Sequence, residues 1–252
     1  MRNWPLSIYK WLRQKISSFG VSWDELVLFM HEEIPPGARV LDAGAGECIL
    51  QKNLAHADYI SMDSTVGDLS ANYSKLDIIG DLTCMPIRDG LFDAVVSLNV
   101  LEHVISPEKA IKEFNRILKI GGKLFLMVPQ ASGQHQKPYD YWRFTSFGLR
   151  HLLETSGFHI ISLEPRGGYF LLMGDQLKAL QKLSFLGADR PILLPLKVLW
   201  QILSFPIFRV AIPLIFYYLD ALDRDKDNTV GYICYASKLA PAVAEKMVNN
   251  VR

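Results

Sequence analysis

The stretch VLDAGAGEC, from Val40 to Cys48, decides the fold that we expect for the whole chain. It opens with β-branched and apolar residues, which suit a strand that is buried on both faces. Asp42 stands where that strand should end, Gly44 and Gly46 follow, and residues 49–56 have the pattern of a helix. A strand, a glycine turn and a helix N-terminus together let backbone N–H groups approach a ligand closely.

The spacing of residues in and after this turn narrows the class of ligand. A dinucleotide-binding loop has the pattern G-x-G-x-x-G, but Ile49 occupies the third glycine position, which argues against NAD and FAD. The acid before the glycines suits a ligand that carries a positively charged ammonium group. Asp63 follows the next strand-like run, 59–62, at about the interval expected for a carboxylate that binds ribose hydroxyls.

Four segments follow one another within about half of the chain, 38–158: VLDAGAGEC, YISMD, IIGDLTCMPIRDGLFDAVVSLNVLEHV and KIGGKLFLMVP. In this order they resemble the motifs of class I S-adenosylmethionine-dependent methyltransferases, in particular the methyltransferase type 11 group. One position departs from the family, because Cys48 stands where a small residue, usually glycine, is common. The resemblance implies a Rossmann-like α/β fold, with a seven-stranded, mostly parallel sheet and helices on both faces.

The same resemblance implies S-adenosyl-L-methionine as cofactor and assigns residues to it. Asp42, Gly44 and Gly46 would hold the methionine portion, and Asp63 the ribose. The adenine would meet Asp81 and Leu82, and Asn99 would lie near the transferable methyl group. Any one acid could be an ordinary strand-end carboxylate, but acids ending three successive strands favour a cofactor site, because open α/β sheets bind ligands at that edge.

Hydrophobic patterning divides the chain into regions. We expect an N-terminal helical segment (1–37), a cofactor-binding core (38–166), an apolar helical insert (167–227), and the last strand with a C-terminal tail (228–252). Alternating strands and helices argue for a parallel sheet. The candidate strands are Arg39–Ala43, Tyr59–Met62, Leu76–Gly80, Phe92–Leu98, Gly122–Val128, His159–Leu163 and Thr229–Ala236.

The insert between strands 6 and 7 is unusually apolar. Its middle, 192–219, carries Lys197 and Arg209, so no charge-free run reaches the length needed to cross a bilayer. We expect two short helices broken near Pro206 and a peripheral contact with a membrane through 190–222. A basic, Trp-bearing amphipathic helix within 1–34 would assist that contact. The alternatives are a lid or a homodimer interface, and an N-terminal helix that packs on the core.

Two segments carry candidate chemistry beyond the cofactor. His103 has the pKa range of a general base, and its alternative roles are to orient the loop or to cap the next helix. The acceptor loop, 129–145, resembles the H-x-x-P-x-D-Y-x-R-x-T segment of some bacterial members of the family, often in cell-envelope or glycan pathways. Its candidate substrate-binding residues are His135, Tyr139, Asp140 and Arg143. The alternative is an Asp140–Arg143 pair that braces the loop.

Composition excludes several other classes of protein. A net charge of +1 over 252 residues gives no global attraction to nucleic acid, and three cysteines without a C-x-x-C pattern indicate reduced thiols in a cytoplasmic protein. We expect no metal site and no secretory leader. The leading hypothesis is a methyltransferase for a small or lipid-linked acceptor, such as a glycan or envelope intermediate, at the inner face of the membrane. The alternatives are a soluble small-molecule methyltransferase and a non-catalytic methyltransferase-like scaffold.

Overall fold

The computed structural model describes residue 15 and residues 18–67, 71–180 and 194–244. The chain forms two compact units. The larger unit combines Val27–Glu164 with the segment from Gly231 onward, and the smaller unit combines the segment up to Leu26 with Pro165–Val230. Helix α1, Ser18–Glu33, contributes residues to both units.

The larger unit is built on a seven-stranded sheet in the order β3-β2-β1-β4-β5-β7-β6. The register is parallel from β3 through β5, and β7 pairs antiparallel with β5. The strands are β1 (Arg39–Ala43), β2 (Asp58–Asp63), β3 (Ile78–Ile79), β4 (Phe92–Leu98), β5 (Leu118–Pro129), β6 (Phe158–Pro165) and β7 (Gly231–Lys238). This topology confirms the predicted Rossmann-like fold with a mostly parallel sheet.

Apolar runs in the central strands form the core of this unit. The β1 residues Val40, Leu41 and Ala43 are fully buried, and so is the run 124–128 of β5. Helix α2, Pro107–Ile117, covers the sheet with an apolar stripe that includes Ile111 and Phe114. Helix α3, Ser146–Thr155, begins at Thr145, whose hydroxyl accepts the N–H of Gly148 at 3.1 Å. Such a cap satisfies a backbone donor that the first helical turn leaves without a partner.

The segment 49–56, predicted to be a helix, instead forms a series of tight turns. Cys48 has a left-handed backbone (φ 59°), and hydrogen bonds to the third preceding residue follow, such as Gln51 N–H to Cys48 O at 3.1 Å. A residue with a left-handed backbone cannot form part of the first turn of a right-handed α-helix, so a regular helix does not begin at this position. β3 is also shorter than predicted, with two residues in place of the run 76–80.

The smaller unit contains the apolar insert as helices. They are α4 (Tyr169–Leu180), α5 (Leu194–Pro206), a π-helical segment (Ile207–Ala211), α6 (Ile212–Leu219) and a 3-10 turn (Asp220–Leu222). Helix α5 passes through the π segment into α6 without interruption, so the predicted break near Pro206 is wrong. Pro213 explains the π segment, because its ring crowds the carbonyl four residues earlier, that of Arg209, and the helix widens there.

Within the described part of the chain, one helix, Val198–Leu222, is long and apolar enough to cross a membrane, judged by length and composition. Only 11% of its most apolar window is buried. Residues 181–193, which include the start of the predicted apolar stretch, and 1–14, which hold most of the predicted basic helix, lie outside the described residues.

Two carboxylates fix the C-terminal end of this helix to the start of α4. Asp220, which is buried, accepts the backbone N–H groups of Gly168 (2.9 Å) and Leu171 (2.8 Å), and Asp223 accepts that of Tyr169 at 2.6 Å. These N–H groups are the donors that a helix N-terminus leaves without partners, and negative charge is favourable there. The two ends of the helical unit are thereby held together.

Candidate functional site

The glycine turn after β1 is held by backbone hydrogen bonds to β2. The N–H groups of Gly44 and Ala45 both donate to the carbonyl of Met62, at 2.8 and 3.0 Å. Gly44 has a φ of 86°, and a Cβ built on it would lie 2.3 Å from a methyl carbon of Val100. Glycine is therefore required here both by the left-handed backbone and by the segment that follows β4. The turn and the 100–104 segment are in direct contact.

Asp42 lies inside β1 and its carboxyl group is almost completely buried. The hydroxyl of Tyr59, on β2, donates to Asp42 Oδ2 at 2.5 Å. Burial raises the pKa of Asp42 to about 7 and the negative charge of Asp63 adds to the rise, whereas the hydrogen bond from Tyr59 opposes it. A cation placed beside this carboxyl group would favour its ionised form. Asp42 is therefore suited to bind the ammonium group of an amino acid.

The acids that end β2 and follow β3 are held differently. Asp63 accepts the N–H of Gly46 at Oδ2 (3.0 Å) and that of Thr65 at Oδ1 (2.8 Å), so its carboxylate braces the glycine turn. Asp81 is exposed, and its Oδ1 accepts both the N–H and the hydroxyl of Thr83. Carboxylate oxygens carry further lone pairs, which remain able to accept ligand hydroxyl or amino groups. Leu82, beside Asp81, is buried.

Asn99 turns the chain at the end of β4. Its φ of 55° is left-handed, a conformation that asparagine tolerates better than most residues. Its N–H donates to Met127 O at 2.7 Å, and the half-buried side chain contacts Met127 Sδ at 3.5 Å. The carboxyl ends of parallel strands meet at one edge of the sheet, and this edge gathers Asp42, Asp63 and Asn99.

The 3-10 turn Leu101–His103 presents a histidine to the acceptor loop. His103 Nδ1 lies 2.5 Å from the carbonyl of Tyr139, so this nitrogen carries the proton and donates it. Burial lowers the pKa of His103, which keeps the ring neutral near pH 7. Nε2 is then a buried lone pair, and it has no hydrogen-bond partner among the residues that the structure describes. The ring therefore contacts the acceptor loop, which is one of the roles predicted for it from the sequence, and its role as a general base stays a prediction.

The acceptor loop is hydrogen-bonded to the 100–104 segment. The backbone N–H groups of Tyr141 and Trp142 donate to the carbonyl of Glu102 at 2.8 and 3.2 Å. The indole N–H of Trp142 donates to Val104 O at 3.0 Å. The predicted acceptor residues are therefore held against the residues that follow β4, and the Tyr139 side chain remains partly exposed.

Asp140 and Arg143 form the ion pair that was the alternative interpretation. The five N–H donors of Arg143 reach both oxygens of Asp140 and the carbonyls of Ser132, Gly133 and Trp142, at 2.7 to 3.2 Å. A guanidinium has five donors, so none remains for an anionic ligand in this conformation. The guanidinium also holds the pKa of Asp140 well below its usual range. The pair braces the loop.

His135 completes the group of side chains around Glu102. Its backbone N–H donates to Asp140 Oδ2 at 2.9 Å, and its Nδ1 lies 3.2 Å from Gly133 O. Its ring meets that of His103 edge to face, with centroids 4.6 Å apart. Sequence reasoning treated His103 and His135 separately, since nothing in their spacing indicates that they meet. It also missed Tyr59, whose relation to Asp42 depends on the pairing of β1 with β2.

Comparison with known proteins identifies the class. Residues 41–126 match the family model described as a methyltransferase domain. The demethylmenaquinone methyltransferase of Renibacterium salmoninarum is 39% identical over 95 residues, which are 35% of this chain and 40% of that protein. A probable S-adenosylmethionine-dependent methyltransferase of Mycolicibacterium smegmatis is 29% identical over 138 residues, 49% of this chain and 53% of the relative.

Solved structures agree on the fold. Phosphoethanolamine N-methyltransferase 2 of Haemonchus contortus, in complex with S-adenosyl-L-methionine, superposes with a TM-score of 0.53 at 17% identity, over 95% of this chain and 59% of that one. The chain carries a class I S-adenosylmethionine-dependent methyltransferase domain, which confirms the resemblance and the cofactor predicted from the sequence. Its match spans about half or less of the length of the curated relatives.

Proposed function

We propose that the protein transfers the methyl group of S-adenosylmethionine to a lipid-linked acceptor, such as a glycan or envelope intermediate, at the inner face of a membrane. The observation that carries this proposal is the apolar helix Val198–Leu222, of which so little is buried. A continuous apolar surface of this size on a folded protein marks a contact with lipid, ligand or another protein. One of the similar proteins is named a demethylmenaquinone methyltransferase, and this name supports the proposal of an apolar acceptor.

The composition of the helix favours the membrane interface. Its exposed apolar side chains lie along both α5 and α6, among them Ile202, Leu203 and Ile215. Trp200 and Tyr218 suit the level between headgroups and acyl chains. Arg209, near the middle, is costly at the centre of a bilayer but reaches phosphates from a helix that lies in the interface plane. We therefore propose peripheral association.

A cationic side chain lies on the same helical unit. Lys15 Nζ donates to the hydroxyl of Tyr217 at 2.8 Å and lies 4.0 Å from the centroid of its ring. A positive charge beside interfacial aromatic residues favours an anionic lipid surface, where each lysine or arginine contributes about 1 kcal/mol. The proposed contact therefore combines apolar insertion with electrostatic attraction.

The chemistry requires little beyond positioning. Methyl transfer from a sulfonium is a direct displacement: the acceptor atom forms a bond to the methyl carbon while the carbon–sulfur bond breaks and its electron pair stays on sulfur. The protein contributes alignment and exclusion of water, and proton removal where the acceptor is a hydroxyl. His135 and Tyr139 on the acceptor loop are the proposed acceptor contacts, and His103 as general base stays a prediction.

Flotation with anionic phospholipid vesicles tests the membrane contact. Wild-type protein should float with the vesicles, and the double substitution Ile202→Asp plus Ile215→Asp should leave it in the supernatant. Ile120→Asp, at an equally exposed isoleucine of the larger unit, is the matched control and should float. Carbonate washing should release the bound protein. Resistance to carbonate would contradict peripheral association and indicate a helix that spans the membrane.

Labelling identifies the acceptor class. With methyl-labelled S-adenosylmethionine and a bacterial lysate, label should enter the organic extract and depend on the protein. Label confined to the aqueous small-molecule fraction would favour a soluble methyltransferase, with the helix as lid or dimer interface. Cofactor binding by calorimetry without any labelled product would indicate a non-catalytic scaffold.

A further inference from the structure

Three side chains in the larger unit bring potential metal-binding atoms together. Glu102 and His103 stand side by side on the 3-10 turn after β4, and His135 reaches them from the acceptor loop. Glu102 Oε1 lies 3.9 Å from Nε2 of His103 and 3.9 Å from Nε2 of His135. One candidate ligand atom from each residue lies within 4.8 Å of the other two. We call these residues the His–Glu cluster.

Hydrogen bonds to backbone carbonyls fix which nitrogen of each histidine faces the cluster. His103 Nδ1 lies 2.5 Å from Tyr139 O, and His135 Nδ1 lies 3.2 Å from Gly133 O. A carbonyl can only accept, so each Nδ1 carries a proton and Nε2 is the ring nitrogen that each histidine turns towards Glu102. Metal-binding histidines are held in this way, with the other ring N–H on a carbonyl or carboxylate.

The resulting arrangement directs three potential ligand atoms towards one another. A lone pair on an imidazole nitrogen and a carboxylate oxygen both attract a cation that is placed between them. Glu102 is buried and so is Nε2 of His103, so these ligand atoms are largely shielded from solvent.

We propose that Glu102, His103 and His135 bind one divalent first-row transition-metal ion. Two imidazoles and one carboxylate are the ligand set of catalytic zinc and of non-haem iron sites that keep open coordination positions. Bonds of about 2.0–2.1 Å place tetrahedral ligand atoms about 3.3–3.4 Å apart. The present separations are larger, so the cluster must contract on binding. His135 is partly exposed and lies on a loop, so it is the ligand able to move.

The metal site would also refine the proposed function, on which this step rests. An acceptor oxygen can occupy an open position, where the ion lowers the pKa of its hydroxyl and so assists loss of the proton. His103 is then a ligand and not the general base, because the same Nε2 lone pair cannot serve both roles. The cluster lies beside the glycine turn, since Val100, which precedes it, contacts Gly44.

The test uses full-length, tag-free protein that has been stripped with a chelator. Titration with Zn²⁺ should give one ion per chain by calorimetry, and Co²⁺ should give the visible absorption bands of a nitrogen- and oxygen-bound ion. His135→Gln should weaken Zn²⁺ binding about 100-fold or more, since loss of even an outer-shell partner costs 10–100-fold. His151→Gln, at an exposed histidine of α3, is the matched control and should bind like the wild type.

Each other result counts against the site. Absence of Zn²⁺ binding by the wild type overturns it, and so does a His135→Gln variant with unchanged affinity and stoichiometry. Glu102→Gln, which preserves the shape of the buried side chain, gives a second comparison if His135→Gln misfolds by circular dichroism. S-adenosylmethionine binding is measured on the same stripped protein. Methyl transfer by a protein that does not bind Zn²⁺ would exclude the metal site alone, and Zn²⁺ binding without methyl transfer would exclude the proposed function alone.

Discussion

The hydroxyl of Tyr59 donates a 2.5 Å hydrogen bond to Oδ2 of Asp42, a carboxyl group that is 4% exposed. The two residues lie on neighbouring parallel strands, so the sheet itself fixes the contact. The bond favours the ionised form of Asp42, whereas burial and the nearby Asp63 favour the protonated form. The carboxyl group of Asp42 therefore changes between its protonated and ionised forms near neutral pH.

The first prediction concerns the pH dependence of cofactor binding. The ordinary pKa of an aspartate is 3.8, and that of Asp42 in the folded, cofactor-free protein is about 7. If the ammonium group of the cofactor binds the carboxylate form, affinity should fall about tenfold for each pH unit below 7. Calorimetric titrations between pH 5.5 and 7.5 check this, and Asp42→Asn should bind weakly with a flat profile. A wild-type profile that is also flat would remove Asp42 from the site.

The same group predicts how the stability of the cofactor-free protein depends on pH. Because the folded pKa is raised, Asp42 stabilises the fold in its protonated form, fully below pH 4, and this contribution is lost as pH rises through about 7. The whole loss should be on the order of 4 kcal/mol, of which about 2–3 kcal/mol falls between pH 5 and pH 8. Urea unfolding at these two pH values measures that part. In Asp42→Asn the difference between the two pH values should be markedly smaller than in the wild type.

Replacing Tyr59 by phenylalanine should raise the pKa of Asp42 further. A hydrogen bond to a charged group contributes about 1.5–3 kcal/mol, so the midpoint of the binding profile should move up by roughly one to two pH units. Tyr218→Phe, in the smaller unit, is the control and should not move it. An unchanged midpoint in Tyr59→Phe would show that the contact does not govern the ionisation of Asp42.

Asp63→Ala should weaken S-adenosylmethionine binding about 10- to 100-fold. The substitution removes a carboxylate placed to meet ribose hydroxyls and also the acceptor for the N–H groups of Gly46 and Thr65. Asp58→Ala is the control at the other end of β2, where the carboxylate pairs with Arg39 near the surface. Equal affinities for the two variants would exclude Asp63 from cofactor binding.

Gly44→Ala should abolish cofactor binding and lower stability. Its Cβ would collide with Val100 on a left-handed backbone, whereas Gly90, with a φ of 61°, has open space around the same atom. Gly90→Ala therefore isolates the backbone strain, on the order of 1–2 kcal/mol. Thermal unfolding and calorimetry of both variants separate strain from collision. Comparable losses in the two would contradict the role assigned to the Val100 contact.

Sequence patterns predicted the structure best where a single short segment determines the local secondary structure. The predicted bounds of β1 and β4 coincide with the observed ones, because apolar runs bounded by turn residues define buried strands. The fold class and cofactor followed from the order of such segments. The helix expected at 49–56 was missed because the left-handed backbone of Cys48 is a property of the folded turn.

Features that depend on distant segments were not predictable in the same way. The contact of His103 with His135 requires the acceptor loop to fold back on the 3-10 turn, which backbone hydrogen bonds to Glu102 achieve. Prolines near the middle of the insert suggested a break, yet Pro206 lies inside α5 and the chain continues after it as the wider π-helical turn Ile207–Ala211. A proline removes one hydrogen bond, and neighbouring turns can absorb that loss.

The π-helical segment Ile207–Ala211 determines the directions in which the side chains of α6 point around the helix axis. The N–H of Ile212 bonds to the carbonyl of Ile207, five residues earlier instead of four. One additional residue in a turn of 3.6 rotates the following helix by about 100° about its axis. Trp200 and Tyr218 thus point in directions that an unbroken α-helix of the same sequence would not give. Deleting the single residue Val210 would realign them while leaving the amino-acid composition of the helix almost unchanged, which separates orientation from hydrophobicity.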